Sequence, residues 1–252
     1  MARYKLTLAY DGSNFYGSQR QAGRRTVQGE LEKALTKLGW KGRSILLSGR
    51  TDSGVHATGQ VASADLDWLH TESDLLRALN SLLPADMAVQ SVETVNPQFH
   101  PRFDAVSRTY CYRLFCSAVR DPLRERFAWR LAAPVVFTLL QETAALFIGT
   151  HDFSAFGSPT TPKGTTVRTV MKAVWSQTAA DEWQFEVQAD AFLYRMVRRM
   201  VFVQTAVAQG KAAAEDIARS LARQAAAESR SALPAGLAPA HGLTLVAVEY
   251  RS

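Results

Sequence analysis

The sequence predicts an α+β fold built from two similar halves. Alternating polar and apolar residues, as in residues 4–10, indicate half-buried strands, and apolar residues at helical spacing, as in residues 27–38, indicate amphipathic helices. In each half these segments follow the order β-α-β-β-α-β, the ferredoxin-like split βαβ arrangement. We expect the halves to join into one extended, mainly antiparallel sheet with helices packed on it. A cleft between the halves is the expected place for a site.

Residues 1–103 are predicted to form an N-terminal α/β subdomain. Its strands are expected at residues 4–10, 44–48, 58–65 and 87–95. Thr26 offers an N-cap to the first helix, and Gly39 stands where that helix would end. Thr71 and Asp74 have the spacing of a capping box, which predicts the start of a second helix.

Residues 104–252 are predicted to form a C-terminal α/β subdomain that repeats this order. Its strands are expected at residues 107–116, 167–177, 183–190 and 243–250. Its helices are expected at residues 138–148, 192–209 and 214–227. A loop rich in Pro, Gly and Ala is predicted at residues 231–242.

Length and composition predict a soluble globular protein. Of the 252 residues 47% are hydrophobic, and the formal charge of +6 fits a nucleic-acid partner without requiring one. Cys111 and Cys116 lie in one predicted strand at an odd spacing, so their side chains point to opposite faces and cannot form a disulfide with each other. No apolar stretch suggests a signal peptide or a membrane span, so we expect a cytoplasmic location.

Several classes of chemistry lack their sequence motifs. The chain has no Walker-type loop, no GxGxxG after a strand and no GxSxG elbow. Its 5 histidines are scattered, and none has a neighbour at metal-ligand spacing. We therefore expect neither a metal site nor serine-hydrolase chemistry.

One loop carries a candidate catalytic group. Residues 49–57 (GRTDSGVHA) lie between two predicted strands, and two glycines allow unusual backbone angles around Asp52. Arg50 is suited to hold a phosphate, and Asp52 is suited to act as a nucleophile or base. The same pattern would also form a tight turn with solvated charges, and taken alone it favours that simpler structure.

Basic and aromatic residues interleave in residues 100–113, as a surface that stacks nucleobases requires. Tyr110 and Tyr112 lie on the same face of the predicted strand. Both also fit a hydrophobic core, and the local sequence leaves the two interpretations open.

The predicted helix at residues 192–209 sets Arg195, Arg198 and Arg199 among apolar residues. Arginines are costly to bury unless they are paired. A solvated helix face is the alternative, but the helix is apolar on several sides, which predicts a carboxylate partner for at least one of these arginines.

Taken in order, segments along nearly the whole chain resemble the tRNA pseudouridine synthase A family. Residues 49–61 closely resemble the catalytic-aspartate signature of that family. The other matching segments are residues 10–12, 15–21, 27–28, 80–84, 99–103 with Arg108 and Tyr110, 151–153, 192–198 and 241–243. No single segment would decide the matter, but their common order makes the resemblance specific.

The resemblance implies the pseudouridine synthase fold and isomerisation of uridine to pseudouridine at positions 38, 39 and 40 of the tRNA anticodon stem-loop. It implies no cofactor and no metal, and it implies a homodimer that binds tRNA. Asp52 is then the nucleophile, Tyr110 stacks on the target uracil and helps to remove the C5 proton, and Arg198 pairs with Asp52. The further substrate-binding residues expected are Arg50, His56 and Arg108.

Three positions depart from the family pattern. Ser18 stands where Trp is usual, Arg199 replaces the usual Asn, and Phe202 occupies a position where Gly is common. None of them belongs to the Asp–Tyr–Arg set.

Two other functions compete with this prediction. A non-catalytic RNA-binding protein with two RRM-like modules shares the element order, but residues 58–65 lack the aromatic side chains that an RRM strand needs. A nucleoside-processing hydrolase that uses Asp52 needs a second carboxylate, for which Asp65, Asp67 and Asp152 are candidates.

Overall fold

The computed structural model describes residues 1–161, 164–222 and 233–251. The chain forms two compact units, of which one comprises Met1–Val106 with Thr244–Ser252 and the other Ser107–Leu243. Each unit combines helices with a mainly antiparallel set of strands, so the predicted α+β class is confirmed. The expected division after residue 103 differs from this one mainly in the last strand, which clusters with the first unit.

The first unit has the predicted β-α-β-β-α-β order. Its elements are β1 (Ala2–Tyr10), α1 (Val27–Lys37), β2 (Leu46–Leu47), β3 (His56–Leu66), α2 (Glu72–Leu82) and β4 (Met87–Val95). β1 lies between β3 and β4 and is antiparallel to both. β2 is antiparallel to β3 on its other edge, where Leu46 lies opposite Ser63.

Both predicted helix starts of the first unit are confirmed by their caps. The Thr26 hydroxyl accepts a hydrogen bond from the Gly29 N–H at 3.2 Å and so satisfies a free donor at the start of α1. At the start of α2, Thr71 and Asp74 form the reciprocal capping box, with both N–H···O distances at 3.1 Å. Gly39 has a φ of +91°, as a glycine that ends a helix requires.

The second unit contains the elements predicted for the C-terminal subdomain, except its last strand, together with two short strands that were not predicted. Its elements are β5 (Ala105–Cys116), β6 (Trp129–Leu131), α3 (Phe137–Ala145), β7 (Gly149–Asp152), β8 (Val167–Ala179), β9 (Glu182–Ala189), α4 (Met196–Ala208) and α5 (Ala214–Ala222). β9 is antiparallel to β5 and β8, β7 is antiparallel to β8, and β6 is parallel to β5. β6 and β7 are too short to show an alternating pattern. The predicted extension of α5 through Ala227 lies outside the described residues.

The final strand, β10 (Leu243–Tyr250), is parallel to β3, with Thr244 opposite His56 and Leu245 opposite Ala57. It shares the edge of β3 that β2 also contacts, because β1 occupies the other edge. Gly59 permits this close approach, since a Cβ there would overlap the carbonyl oxygen of Val246.

Each unit has its own apolar core. In the first unit the fully buried leucines include six from β1, α1 and α2: Leu6, Leu8, Leu31, Leu35, Leu75 and Leu79. In the second unit the fully buried aromatic side chains are Tyr112, Phe115, Phe147, Phe153, Phe156 and Phe185. Each such side chain contributes roughly 1.5–3 kcal/mol relative to its exposed state.

Cys111 and Cys116 are both free thiols, as predicted. Burial raises the pKa of the Cys111 thiol to about 11, so it stays protonated at neutral pH. Across the described ranges, no helix combines the length and the apolar character needed to cross a membrane.

Candidate active site

The loop that carries Asp52, residues 49–55, joins β2 to β3 and is held from behind by residues 12–18, which we call the support segment. Ser18 of this segment is fully buried. Its N–H donates to the Thr51 carbonyl at 3.1 Å, and its hydroxyl accepts from the Thr51 N–H at 2.8 Å. Both peptide groups of Thr51 are therefore fixed immediately before Asp52.

A second anchor holds the Thr51 side chain. The Thr51 hydroxyl is 2.9 Å from the Tyr10 hydroxyl at the end of β1. Burial raises the pKa of Tyr10 to about 12, and its hydrogen bonds to Thr51 and Gln60 oppose this rise. The phenol therefore remains protonated at neutral pH and keeps its hydrogen-bonding capacity.

Two glycines of the support segment allow its backbone to touch the loop. Gly17 has a φ of +83°, and a Cβ at this position would lie 2.8 Å from the Thr51 carbonyl oxygen. A Cβ at Gly12 would overlap the carbonyl oxygen of Val55. Backbone therefore packs on backbone at both ends of the loop, which only glycine permits.

The predicted nucleophile remains partly accessible. Asp52 is half-buried, and Arg50 is exposed. A carboxylate that is partly accessible, on a backbone fixed from behind, has the arrangement that a nucleophile requires. The Arg50 side chain is accessible to solvent on this carboxylate's loop.

His56, the first residue of β3, is buried. The sequence interpretation placed it on the RNA, but its side chain is only 4% exposed. Its Nδ1 accepts from the Gly12 N–H at 2.9 Å and is 3.2 Å from Oδ1 of Asp11. Nδ1 cannot accept from one group and donate to the other at once, and the Gly12 N–H points at it, so the neutral ring fits best. This burial argues for a structural role of His56 at the base of the loop.

In the second unit the two tyrosines of β5 have different surroundings. Tyr112 is fully buried, and its hydroxyl donates to the Pro239 carbonyl at 2.9 Å, so it is a core residue. Tyr110 is half-buried, and its ring stands edge-on to Phe192 with centroids 5.1 Å apart. Of the pair, Tyr110 alone retains surface for a ligand.

Arg108 is held near the start of the same strand. Its guanidinium donates to the Asp190 carbonyl at 2.8 Å. The Asp190 carboxylate in turn accepts from the N–H groups of Thr169 at 3.1 Å and Ala191 at 2.6 Å. The guanidinium is therefore fixed, and it remains half-buried rather than enclosed.

The arginines of α4 contact main-chain carbonyls of residues 234–238. Nε of Arg198 donates to the Ala238 carbonyl at 2.8 Å. Nη1 of Arg199 donates to the carbonyls of Gly236, at 3.0 Å, and Pro234. Burial lowers the pKa of Arg199, and these carbonyls solvate its charge. The sequence predicted a carboxylate partner for at least one of the three arginines of the predicted helix. For Arg199, main-chain carbonyls take the place of such a partner.

Two departures from the family pattern pack together. The Arg199 guanidinium lies 5.9 Å from the ring centroid of Phe202, which stacks on Trp129 at 6.4 Å. Gly236 passes so close to Phe202 that a Cβ there would overlap the ring. The pair therefore forms one local packing unit with the chain near residue 236.

Just before α4, Arg195 has a left-handed backbone with a φ of 65°. Within the described ranges, no other non-glycine residue has a positive φ. This conformation costs a non-glycine residue about 1–2 kcal/mol. α4 consequently begins at Met196, later than the predicted start at residue 192. The Arg195 guanidinium lies 4.7 Å from the ring centroid of the exposed Tyr194.

The supporting residues Tyr10, Ser18 and Thr51 were not predicted as part of the site. Their hydrogen bonds join segments that are distant in sequence, which no local pattern reveals. All three residues lie in segments that match the family, and Ser18 also departs from the family pattern, but neither signal indicates that they contact one another. No group of three or more His, Cys, Asp or Glu side chains within the described ranges is arranged to hold a metal ion.

Comparison with known proteins agrees with the resemblance seen in the sequence. A family model described as tRNA pseudouridine synthase matches residues 7–104 and 143–251. The tRNA pseudouridine synthase A of Maridesulfovibrio salexigens is 42% identical, over 99% of this chain and 91% of that protein. The enzyme of the same name from Limosilactobacillus fermentum is 40% identical, over 100% and 97%. That of Bacillus licheniformis is 39% identical, over 98% and 99%.

The family model covers the Asp52 loop and the arginines of α4, and the relatives align over both units. Because identity near 40% extends over almost the full length of each relative, both units of the chain belong to the same family. The chain is an enzyme, an isomerase, and it belongs to the tRNA pseudouridine synthase family.

Proposed function

We propose that the chain converts uridine to pseudouridine at positions 38, 39 and 40 of the tRNA anticodon stem-loop. The bond between C1′ and N1 breaks, the uracil turns, and a bond forms between C1′ and C5. The C5 hydrogen leaves as a proton and N1 gains one, so the reaction balances without a cofactor. The observation that carries the proposal is the half-buried Asp52 carboxylate on a loop fixed by Ser18 and Thr51.

Asp52 is the proposed nucleophile, and Arg198 is its proposed partner. A carboxylate must be ionised to attack, and a nearby guanidinium favours the ionised form. Arg198 is half-buried, and its Nε is occupied by the Ala238 carbonyl, which fixes the plane of the guanidinium. A fixed planar donor is suited to a bidentate contact with a carboxylate.

Tyr110 is the proposed stacking residue for the target uracil. Its ring is held by Phe192 and is partly accessible, and the neighbouring Tyr112 is excluded from this role by its complete burial. A phenol next to the reacting base is also placed to help remove the C5 proton.

A uridine in a stem must leave the helix before it reacts, which costs a few kcal/mol. We propose that phosphate contacts offset this cost, because each contact with a Lys or Arg releases counterions from the RNA. Arg50 is exposed and Arg108 is held by the Asp190 carbonyl, so both suit this role. The formal charge of +6 supports the same conclusion.

We further propose that the protein is a cytoplasmic homodimer and that one tRNA contacts both protomers. The family resemblance supports the dimer, and the free thiols of Cys111 and Cys116 are compatible with a reducing compartment. Sedimentation of the protein with and without tRNA tests this proposal, and a monomer in both samples would contradict it.

The competing functions find less support. β3 carries no Phe, Tyr or Trp, which an RRM would need on this strand. A glycosidase requires two carboxylates within roughly 10 Å of each other. Asp65 lies at the far end of β3, about 30 Å from His56 along an extended strand. It is also held by Arg3 through two hydrogen bonds of 2.7 Å.

The decisive experiment measures tritium release from tRNA transcripts that contain 5-tritiated uridine. We expect release by the wild type and none by Asp52→Ala, with tRNA affinity of the variant within a few-fold of the wild type. Asp67→Asn is the matched control, because it removes an exposed carboxylate beyond the opposite end of β3. Release by Asp52→Ala would refute its role as nucleophile, and no release by any protein, with tRNA still bound, would indicate a binding module.

A further inference from the structure

The support segment brings one exposed aromatic side chain next to the Asp52 loop. The Phe15 carbonyl accepts from the Ser53 hydroxyl at 3.1 Å. Two residues later, a Cβ at Gly17 would lie 3.5 Å from the carbonyl carbon of Asp52. Tyr16 stands between these two contacts and is therefore a direct neighbour of the loop.

The backbone of Tyr16 is fixed although its ring is open to solvent. Its N–H donates to the Arg25 carbonyl at 2.9 Å, and its carbonyl accepts from the Gln21 side chain at 2.6 Å. The side chain is nevertheless 47% exposed, whereas that of the preceding Phe15 is 2% exposed. An aromatic ring held in place and left open is an arrangement that suits a stacking partner.

A cation lies over one face of this ring. The Arg24 guanidinium carbon lies 4.5 Å from the ring centroid of Tyr16. The other two arginines of the same stretch have carboxylate partners at 2.7 Å: Arg20 has Glu32 and Arg25 has Asp86. Arg24 is exposed, and across the described ranges it has no such partner. Its charge is therefore available to an anion.

We propose that Tyr16 and Arg24 form a binding subsite for the RNA nucleotide next to the target uridine. The base of that nucleotide stacks on the pair, and Arg24 contacts the backbone phosphate. Aromatic rings and guanidinium planes stack on any base, so the subsite holds the strand without selecting its sequence. It would keep the strand in register while the uridine is turned out of the helix. This inference rests on the proposed function.

The test compares four variants in their binding to an anticodon stem-loop RNA. We expect Tyr16→Ala to weaken binding by roughly tenfold and Tyr16→Phe, which keeps the ring, to stay within about twofold. Arg24→Gln should weaken binding and lower the slope of log Kd against log salt by about one. Arg77→Gln is the matched control, since it removes an exposed arginine of the same unit that pairs with Asp74 on α2.

A fluorescent base provides a readout of stacking that affinity alone does not give. 2-Aminopurine is placed on the 5′ or the 3′ side of the target uridine in two separate RNAs. We expect its fluorescence to change on binding in one of them, and Tyr16→Ala to abolish that change while Arg77→Gln preserves it.

The outcomes separate the two proposals. If the wild type releases tritium and Tyr16→Ala matches it in affinity and fluorescence, the subsite is wrong and the proposed function stands. If the wild type binds tRNA but releases no tritium, the proposed function fails. Should Tyr16→Ala prove unfolded by circular dichroism, Arg24→Gln decides the question through its salt slope, and an unchanged slope overturns the subsite.

Discussion

Ser18 forms hydrogen bonds with both peptide groups of Thr51. The Ser18 N–H donates to the Thr51 carbonyl at 3.1 Å, and the Ser18 hydroxyl accepts from the Thr51 N–H at 2.8 Å. The Thr51 carbonyl belongs to the same planar peptide as the Asp52 N–H. Ser18 therefore fixes the peptide plane from which the candidate nucleophile projects. One of the three residues that depart from the family pattern is thus part of the support of the Asp52 loop.

Ser18→Ala tests this relationship. The change leaves the buried Thr51 N–H without its acceptor, which we expect to cost about 1–3 kcal/mol of unfolding free energy. Displacement of Asp52 should lower kcat by about tenfold or more, with little change in KM. Ser18→Thr keeps the hydroxyl and should recover part of the rate. A loss of stability with kcat unchanged would show that Ser18 supports the fold but not the position of Asp52.

Gly17→Ala is expected to damage the loop more than any surface change. A Cβ at Gly17 meets the Thr51 carbonyl oxygen at 2.8 Å, and its φ of +83° disfavours a side chain. Gly23→Ala is the matched control, because Gly23 also has a positive φ of +67° but has open space around its Cα. We expect about 1 kcal/mol lost for Gly23→Ala and about 3 kcal/mol for Gly17→Ala in denaturant unfolding. Equal losses would contradict the contact between support segment and loop.

The proposed pair of Asp52 and Arg198 predicts a non-additive effect on rate. Arg198→Lys keeps the charge but loses the bidentate geometry, so single-turnover tritium release should slow by roughly 10- to 100-fold. In an Asp52→Asn background, where the residual rate is set by other groups, the same change should have no further effect. Arg199→Lys is the neighbouring control, because the Arg199 guanidinium faces the carbonyls of Pro234 and Gly236. A full additional loss in the double variant would contradict the pair.

Arg195 predicts a stability difference between two substitutions. Both Arg195→Asn and Arg195→Ala remove the guanidinium from the Tyr194 ring. Asn tolerates the left-handed backbone at φ 65° better than Ala does, so the Asn variant should be more stable by roughly 0.5–1 kcal/mol. Thermal unfolding of the two proteins measures this difference. Equal stability would mean that the backbone at this position carries no strain.

Asp86 predicts a dependence of stability on pH. Two hydrogen bonds from Arg25, each of 2.7 Å, hold the pKa of the Asp86 carboxyl below its usual range. Because the folded pKa is the lower one, the stabilisation is fully present above the unfolded value of about 3.9 and is lost as pH falls through the folded value.

Unfolding by urea at several pH values checks this prediction. We expect Asp86→Asn to cost about 1 kcal/mol near pH 7, because the pair is partly exposed, and the difference from the wild type to shrink below about pH 4. Asp67→Asn should have almost no effect, because Asp67 is highly exposed beside the N-terminal amine. A difference that grows as the solution is acidified would contradict the pairing.

Much of the fold was predictable because its signals are local. The Thr26 cap, the Thr71–Asp74 capping box and Gly39 each determine a helix end through the nearest few residues. The long strands show their period over enough residues to be recognised. β6 and β7 were missed because three or four residues cannot establish a period, and the start of α4 was misplaced because the left-handed backbone of Arg195 has no sequence signal.

The sequence by itself determined the α+β class, the order of the main elements, the family and the candidate residues Asp52, Tyr110 and Arg198. Only the tertiary structure decided which residues support them. It showed Ser18 on Thr51, Tyr112 in the core and His56 beneath the loop rather than on a surface. It also showed the last strand, β10, beside β3. Periodicity and capping act between neighbours in the chain, whereas burial and hydrogen bonds between distant segments exist only once the chain has folded.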